Sequence, residues 1–495
     1  MATLAFDLIP LYEMKFTKCR YIEMSRLLLT AMVVTLLGIA CTPEEEKLTF
    51  DSSATLRLST DSVLFDTLFT SKQSITKRFR VYNDNDKAVN VSSIALANGS
   101  SSQYKVFVNG RADTEFNDVK LLGQDSLLVL VEVTIDPMDQ NLPFLVTDQL
   151  IFDTNDNIQD VDLVAWGQDA VFLNGEVLAC NTTWTNERPY VIFNSVLVDS
   201  LCNLTVEPGT QIYSHKGSFI FIEGTIDAQG TAEERVLFSN DRFDEGFEDA
   251  PGQWGGLIFL PGSNNNTIDH TDIRNAEFGI YLGTPDDNDD YDLVLSNSRI
   301  ENIGGNETFT GNIINVAPGY GLLAISSDLY AYNTVVNNCE VNTVGNYAGG
   351  NYKYEHCTFG NFTFDFFRQD PSVVFADNLA LGNNSLLVED LSVEMTNSII
   401  WGSLSDELLT SNAGGAQFNV SIDHSLLRTR DDQWSGNNNI INENPRFIDP
   451  RGYNYALDTL SPAKDAGINI GILNDLDGNS RDSKPDLGAF ERIEN

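Results

Sequence analysis

His270-Thr-Asp-Ile273 is the stretch that decides the fold, because it recurs. Asn297-Ser-Arg-Ile300, Asn333-Thr-Val-Val336, His356-Cys-Thr-Phe359, Asn397-Ser-Ile-Ile400 and His424-Ser-Leu-Leu427 keep the same order. Each copy has histidine or asparagine, then a small hydroxyl or thiol, any residue, and an aliphatic or aromatic. In the first four an asparagine follows two places later, at Asn275, Asn302, Asn338 and Asn361. The spacings of 27, 36, 23, 41 and 27 residues fit one solenoid coil plus loops of varying length. Residues two apart in a strand share a face, so the hydroxyl and the aliphatic point inward together. The polar first residue sits at a turn, where its side chain satisfies backbone groups and stacked copies form a ladder. Each coil leaves its strand edges unpaired until the next coil stacks on it. The pattern therefore predicts a parallel β-helix.

Segments on either side extend the array. Leu204-Thr-Val-Glu-Pro-Gly-Thr-Gln-Ile212 reads as a first coil, and Val236-Leu-Phe-Ser239 and Trp254-Gly-Gly-Leu-Ile-Phe259 as later ones. With the repeat, these resemble the right-handed parallel β-helix superfamily that includes pectate lyases, over residues 176–491. Ser461-Pro-Ala-Lys-Asp-Ala-Gly467, Asp475-Leu-Asp-Gly478, Arg481 and Pro485-Asp-Leu-Gly-Ala-Phe-Glu491 resemble the C-terminal cap common in bacterial surface β-helix proteins.

Upstream, residues 51–170 alternate in short apolar segments: Arg78–Tyr82, Val89–Leu96, Tyr104–Val108, Leu127–Ile135 and Gln149–Phe152. Turn signals such as Asn83-Asp-Asn-Asp86 and Asn109-Gly110 separate them. This predicts an immunoglobulin-like β-sandwich, making the whole chain all-β. Arg78-Phe-Arg-Val-Tyr-Asn83 resembles sandwich domains found beside bacterial surface modules, which implies a spacer role.

The apolar run Leu27–Ala40 follows Arg26 and ends in Leu36-Leu-Gly-Ile-Ala-Cys41. It is shorter than the roughly 20 residues a membrane span needs and reads as an export signal. Residues 1–23 do not fit such a signal, so Met24 is the expected start and residues 1–41 the leader. The ending resembles the bacterial lipobox, which implies lipidation of Cys41 and a lipid anchor in the outer membrane. Residues 42–50 are a tether. Its Glu44-Glu-Glu46 resembles the acidic signal that Bacteroidota place on surface-exposed lipoproteins, which implies display on the cell exterior.

The chain has 495 residues and a formal net charge of −41. That excludes nucleic acid and anionic membrane surfaces as partners. A hydrophobic content of 42% excludes global disorder. Outside the leader and the anchor, four cysteines remain. Cys180 and Cys202 are the expected disulfide pair in an oxidising compartment, while Cys339 and Cys357 either pair across coils or stay as buried thiols.

Three of the four histidines (His270, His356, His424) alternate with asparagine in the repeat, so a structural role is expected for them. His215 has no partner visible in sequence. The outward position after each repeat aliphatic is Arg274, Glu301, Asn337, Gly360, Trp401 and Arg428. Carboxylates and bases are not expected to cluster there on adjacent coils. Trp401 and Arg428 share this lane, and an exposed aromatic beside a charge suits stacking on a sugar ring. Asp475, Asp477 and Asn479 have the oxygen-ligand order of a calcium loop without its terminal glutamate. Asp286-Asp-Asn-Asp-Asp-Tyr-Asp292 is a solvated loop or a second calcium candidate. No catalytic motif transfers from the resemblance, and no cofactor beyond Ca²⁺ is implied. The expected role is binding or presenting extracellular polysaccharide. The alternative is a polysaccharide lyase or glycoside hydrolase on the same scaffold.

Overall fold

The computed structural model describes residues 47–493, apart from 245, 284–289, 307–308, 311–314, 363, 365–366 and 383–384. The Met24 start, the Leu27–Ala40 run, Cys41 and Glu44-Glu-Glu46 lie outside the described residues, as does most of the Asp286–Asp292 stretch. Among the described residues there is no α-helix and no helix long and apolar enough to cross a membrane. The chain forms two compact units.

The first unit is built on two five-stranded sheets. One runs Arg57–Leu58, Lys77–Asn83, Asp125–Val133, Tyr104–Val108, Arg111–Asp113. The other runs Ser62–Phe69, Asn157–Gln168, Phe144–Thr154, Val89–Leu96, Glu115–Leu121. Lys77–Asn83 and Asp125–Val133 pair antiparallel, as do Val89–Leu96 and Phe144–Thr154. The period-two pattern is explicit: Leu127, Val129, Val131 and Val133 are buried, while Leu128 is 38% exposed. Phe79 of one sheet meets Phe152 of the other edge-on, with centroids 6.3 Å apart, a favoured aromatic geometry.

The second unit is a parallel β-helix with three faces. The first face is a nine-stranded sheet from Thr182–Trp184 to Phe418–Asp423. The second carries the repeat strands Thr271–Arg274, Arg299–Ile303, Val335–Cys339, Thr358–Asn361, Ile399–Gly402 and Leu426–Leu427, each parallel to the next. The third runs from Phe219–Ile222 through Gly256–Phe259, Phe278–Leu282, Tyr320–Ile325, Val344–Tyr347 and Val373–Ala376 to Leu408–Ser411. The second and third faces merge into one ladder because strands such as Tyr190–Val198 pair on both.

The repeat now has a physical account at each position. Ile273, Ile300, Val336, Phe359, Ile400 and Leu427 stack in register inside the coils with no exposed surface. The hydroxyl slot is also fully buried. Ser298 Oγ donates to Ser296 O and accepts from Thr271 N at 3.1 Å. Ser398 Oγ repeats this with Thr396 O and Cys357 N. The corner between the first and second faces is a single left-handed residue. His270, Asn297, Asn333, His356, Asn397 and His424 have φ of 44°, 46°, 46°, 51°, 52° and 42°. Asparagine and histidine are among the few non-glycine residues that tolerate this region, which explains why they interchange there. Their side chains form the ladder: Asn333 Nδ2 donates to Asn297 Oδ1 at 2.9 Å. A second ladder lies two places past the aliphatic, where Asn302 donates to Asn275 Oδ1 and Asn338 to Asn302 Oδ1, both at 2.8 Å.

Cys180 and Cys202 form a disulfide with Cα atoms 4.6 Å apart, joining neighbouring coils. Cys339 and Cys357 are buried free thiols, which settles the open choice between pairing and burial. The C-terminal segment lies along the outer side of the second face, so it covers a flank. Leu457, Ala463 and Leu487 pack on Ile399, Trp401 and Leu426, and Tyr455, Leu476 and Ala489 on Val335. The segment also reads the corner ladder. Ile468 N donates to Asn397 Oδ1 at 3.0 Å, and Arg481 Nη2 to Asn333 Oδ1 at 2.9 Å.

Candidate functional site

Outward residues of the third face are mostly apolar. Ile258, Tyr281, Leu323, Gly345, Val374 and Leu409 are register neighbours up this face. A solvent-facing row of this kind is expected to be polar, yet Ile258, Tyr281, Leu323 and Val374 are buried. Two excursions cover the first three of these. Phe309 and Val316, from a short antiparallel pair, pack over Ile258 and Tyr281, while Leu379 and Leu387 of the hairpin Asn378–Gly382/Ser385–Val388 join the same cluster.

Beside this hairpin a cleft of about 330 Å³ opens on the sheet. Val374, Ala376 and Leu409 give its apolar floor, and Tyr320 and Tyr347, which pack against Gly345, its aromatic wall. The rings have room because residue 345 lacks a side chain. A Cβ there would lie 2.7 Å from Tyr347 Cε2 and 3.3 Å from Tyr320 Cδ1. Tyr347 OH donates to Asn342 Oδ1 at 3.2 Å, and Asn342 Nδ2 donates to Pro371 O. The Asn342 side chain is buried and fixes the ring. Asp370 stands exposed at the rim, held through its backbone carbonyl by Arg368 Nη1 at 2.6 Å. Arg368 is itself locked to Glu407 by two bonds of 2.7 Å, both side chains buried. Burial pushes the Tyr320 and Tyr347 phenols up, and the Asp370 charge adds to both shifts. Both remain neutral hydroxyls. A concave, mostly apolar site with a few placed polar groups is the usual form of a ligand pocket. Two tyrosines beside a carboxylate match a sugar ring, which has an apolar face and a polar edge.

The residues expected from sequence fare differently. Trp401 and Arg428 do share a lane, but Trp401 is only 7% exposed, under Leu457, Ala463 and Leu487. Arg428 lies 4.8 Å over its ring and donates to Gly402 O. The expected sugar platform is thus corrected to a covered packing site, because the C-terminal segment occupies the lane. The calcium loop is corrected on similar grounds. Asp475 is buried, and its Oδ1 accepts from the backbone N–H of Asp477 and Asn479 at 3.0 and 2.7 Å. Its Oδ2 accepts from Asn479 Nδ2 and Glu491 N at 3.1 and 2.8 Å, while Asp477 pairs with Arg299. These oxygens stitch the segment together rather than converge on a cation. No group of three or more acidic, histidine or cysteine ligands converges among the described residues.

Charges do meet on adjacent coils, contrary to expectation. Arg274 and Glu301 are register partners, with Nε and Oε2 3.3 Å apart. Asp272 takes Arg235 Nε at 2.9 Å and has Arg299 at 3.7 Å. Burial pushes the Glu301 carboxyl up, and Arg274 pulls it back. Each carboxylate is enclosed by arginine, and Glu301 is 3% exposed. A polymer has no route to either, so this network holds coils together. The repeat histidines all take the left-handed corner, as expected from their exchange with asparagine. His270 and His424 pair with their neighbours Asp269 and Asp423, and His356 is buried. His215, partnerless in sequence, pairs with Asp241 at 2.9 Å.

The cleft itself escaped the sequence reading. The glycine and tyrosine of Val344–Tyr347 could not single it out, because Phe278–Leu282 and Tyr320–Ile325 on the same face carry the same pair.

Residues 175–316 match the family model described as a pectate-lyase like beta helix domain. They carry a domain of that superfamily. No curated protein matches the chain. Among solved structures, the catalytic unit of a thermostable GH87 α-1,3-glucanase from Streptomyces thermodiastaticus is 12% identical, covering 70% of this chain and 79% of that one, with a TM-score of 0.23. A family 123 glycoside hydrolase from Clostridium perfringens is 9% identical with a TM-score of 0.16, and the chaperone DraB of E. coli 15% identical with a TM-score of 0.16. The match covers 23% of this chain and 26% of the hydrolase, and 24% of this chain and 55% of the chaperone. At these scores the likenesses carry no argument about function.

Proposed function

We propose that this chain is a lipid-anchored protein of the cell exterior whose β-helix binds polysaccharide in the third-face cleft. The observation that carries the reading is the pair Tyr320 and Tyr347 set over Gly345, with the buried Asn342 fixing the Tyr347 hydroxyl. That is a preorganised stacking surface, and preorganisation lowers the ordering cost of binding. The sandwich acts as a spacer between the anchor and the binding unit. Support for the anchor comes from the Leu27–Ala40 run and the Cys41 lipobox resemblance.

Binding of the purified protein to an array of neutral and acidic oligosaccharides tests the reading. Wild type binds at least one class, and Tyr347→Ala weakens that binding about tenfold or more, in line with a lost aromatic contact. Unchanged binding by Tyr347→Ala, or no binding by wild type, refutes it. Ultraviolet-absorbing unsaturated products during the same incubation would establish a lyase instead. Fatty-acid labelling lost in Cys41→Ala, with protease accessibility on intact cells, tests the anchor and its orientation.

A further inference from the structure

The lining of the cleft bears on which sugars it takes. Among its residues there is one ionisable charge, the Asp370 carboxylate, and no lysine, arginine or histidine. Arg368, which holds the Asp370 backbone carbonyl, is committed to Glu407 and to backbone carbonyls, and is 3% exposed. Its charge is matched by a buried partner and does not reach the cleft as a free cation. Asp370 has no side-chain hydrogen-bond partner among the described residues. Its two oxygens are therefore available to accept from ligand hydroxyls. Asn378 is half engaged: its Nδ2 donates to Asp377 Oδ1 and Ser411 Oγ, which leaves Oδ1 as a second acceptor.

The geometry points to a neutral sugar as the ligand, with Asp370 as the residue that selects it. This rests on the polysaccharide-binding reading above. An acceptor-rich rim pairs with a hydroxyl-rich, donor-rich ring. A uronic acid brings a second carboxylate toward Asp370 with no cation to screen it. Two like charges a few ångströms apart repel in water, and repel more strongly in a partly enclosed site. The same ring oxidised at its C6 hydroxymethyl group is thus the discriminating probe. The volume, near the lower end for ligand pockets, suits one or two sugar residues rather than a long stretch of chain.

The test uses matched pairs: galacto- with galacturono-oligosaccharides, and manno- with mannurono-oligosaccharides. Affinities are measured by calorimetry on the full purified protein at low and high salt. Within the pair that binds, the neutral member is expected to bind about tenfold more tightly at low salt, with the gap shrinking as salt screens it. Asp370→Asn is expected to bring the two members within about threefold of each other. Asp370 is an exposed side chain, so this variant keeps the fold. Equal or tighter binding of the uronate, still abolished by Tyr347→Ala, overturns the inference while leaving the polysaccharide reading standing. A neutral preference that Asp370→Asn does not narrow overturns the role given to Asp370. Absence of binding to every pair, or binding that Tyr347→Ala leaves unchanged, overturns both.

Discussion

Asn397 donates through Nδ2 to Nε2 of His356, 2.9 Å away on the neighbouring coil. An imidazole nitrogen that accepts is unprotonated, so the rung exists only with neutral His356. Burial, with the Arg481 charge nearby, lowers its pKa from 6.5 to about 3. A histidine whose folded pKa is depressed binds its proton in the unfolded chain first. Stability therefore falls as pH drops from about 6.5 toward about 3, by up to roughly 1.4 kcal/mol per pH unit. His356→Asn restores the residue used at Asn297, Asn333 and Asn397. Urea unfolding across this window is expected to show a shallower acid loss in the variant than in wild type. Identical slopes would refute the assignment.

Gly360 faces Tyr455 so closely that a Cβ would lie 2.2 Å from its ring. Tyr455 is buried, so neither side has room to give. Gly360→Ala is expected to cost about 1–3 kcal/mol, as overpacking does. The damage should appear first in the C-terminal segment, read as new proteolytic cuts between residues 443 and 491 before the coils are cleaved. Cleavage starting in the coils would argue against this docking.

The disulfide Cys180–Cys202 closes a loop with a sequence separation of 22. Loop-closure entropy gives it roughly 3 kcal/mol of stabilisation. Cys180→Ser with Cys202→Ser should lower the denaturant midpoint accordingly, and dithiothreitol should do the same to wild type but nothing further to the double variant.

Cys357 occupies the slot filled by threonine or serine at Thr271, Ser298, Thr334, Ser398 and Ser425, and its thiol is pushed up to about 12 by burial. Cys339 is likewise buried and raised. Neither is a thiolate at neutral pH, so neither should react with iodoacetamide until the protein unfolds. Cys357→Ser is expected to change stability by less than about 1 kcal/mol, since the serine can make the bonds of its neighbours in the stack. Rapid alkylation of the native protein would contradict this burial.

The repeat was legible because each of its positions answers to a local constraint. A left-handed corner selects asparagine or histidine, a buried hydroxyl must reach a backbone group two residues away, and an inward aliphatic must stack. Those constraints act within a coil or between adjacent coils, so they leave a period in the sequence. The alternation Leu127–Val133 was legible in the sandwich for the same reason. Trp401 misled because its neighbours within the repeat say nothing about residues 457 to 487, which cover it from far along the chain. Asp475 misled because a calcium loop and a loop that binds its own peptide N–H groups need the same carboxylate at the same place. The cleft was hidden because Tyr320, Tyr347 and Asp370 lie on different strands and loops, brought together by stacking rather than by spacing. Arg274 with Glu301 was missed by weighing the lane as a whole instead of neighbouring copies.

In most solenoids each coil touches only those next to it, and loss can begin at one end and travel. Here the C-terminal segment reaches back over sequence separations of 148 for Arg481 and Asn333 and 71 for Asn397 and Ile468. It cannot find those partners until the coils from Asn333 to Asn397 have formed in the correct register. It is also made after them. Its docking therefore marks completion: a stack slipped by one coil presents the wrong rungs, the clasp stays open, and the misassembled protein is left exposed to proteases.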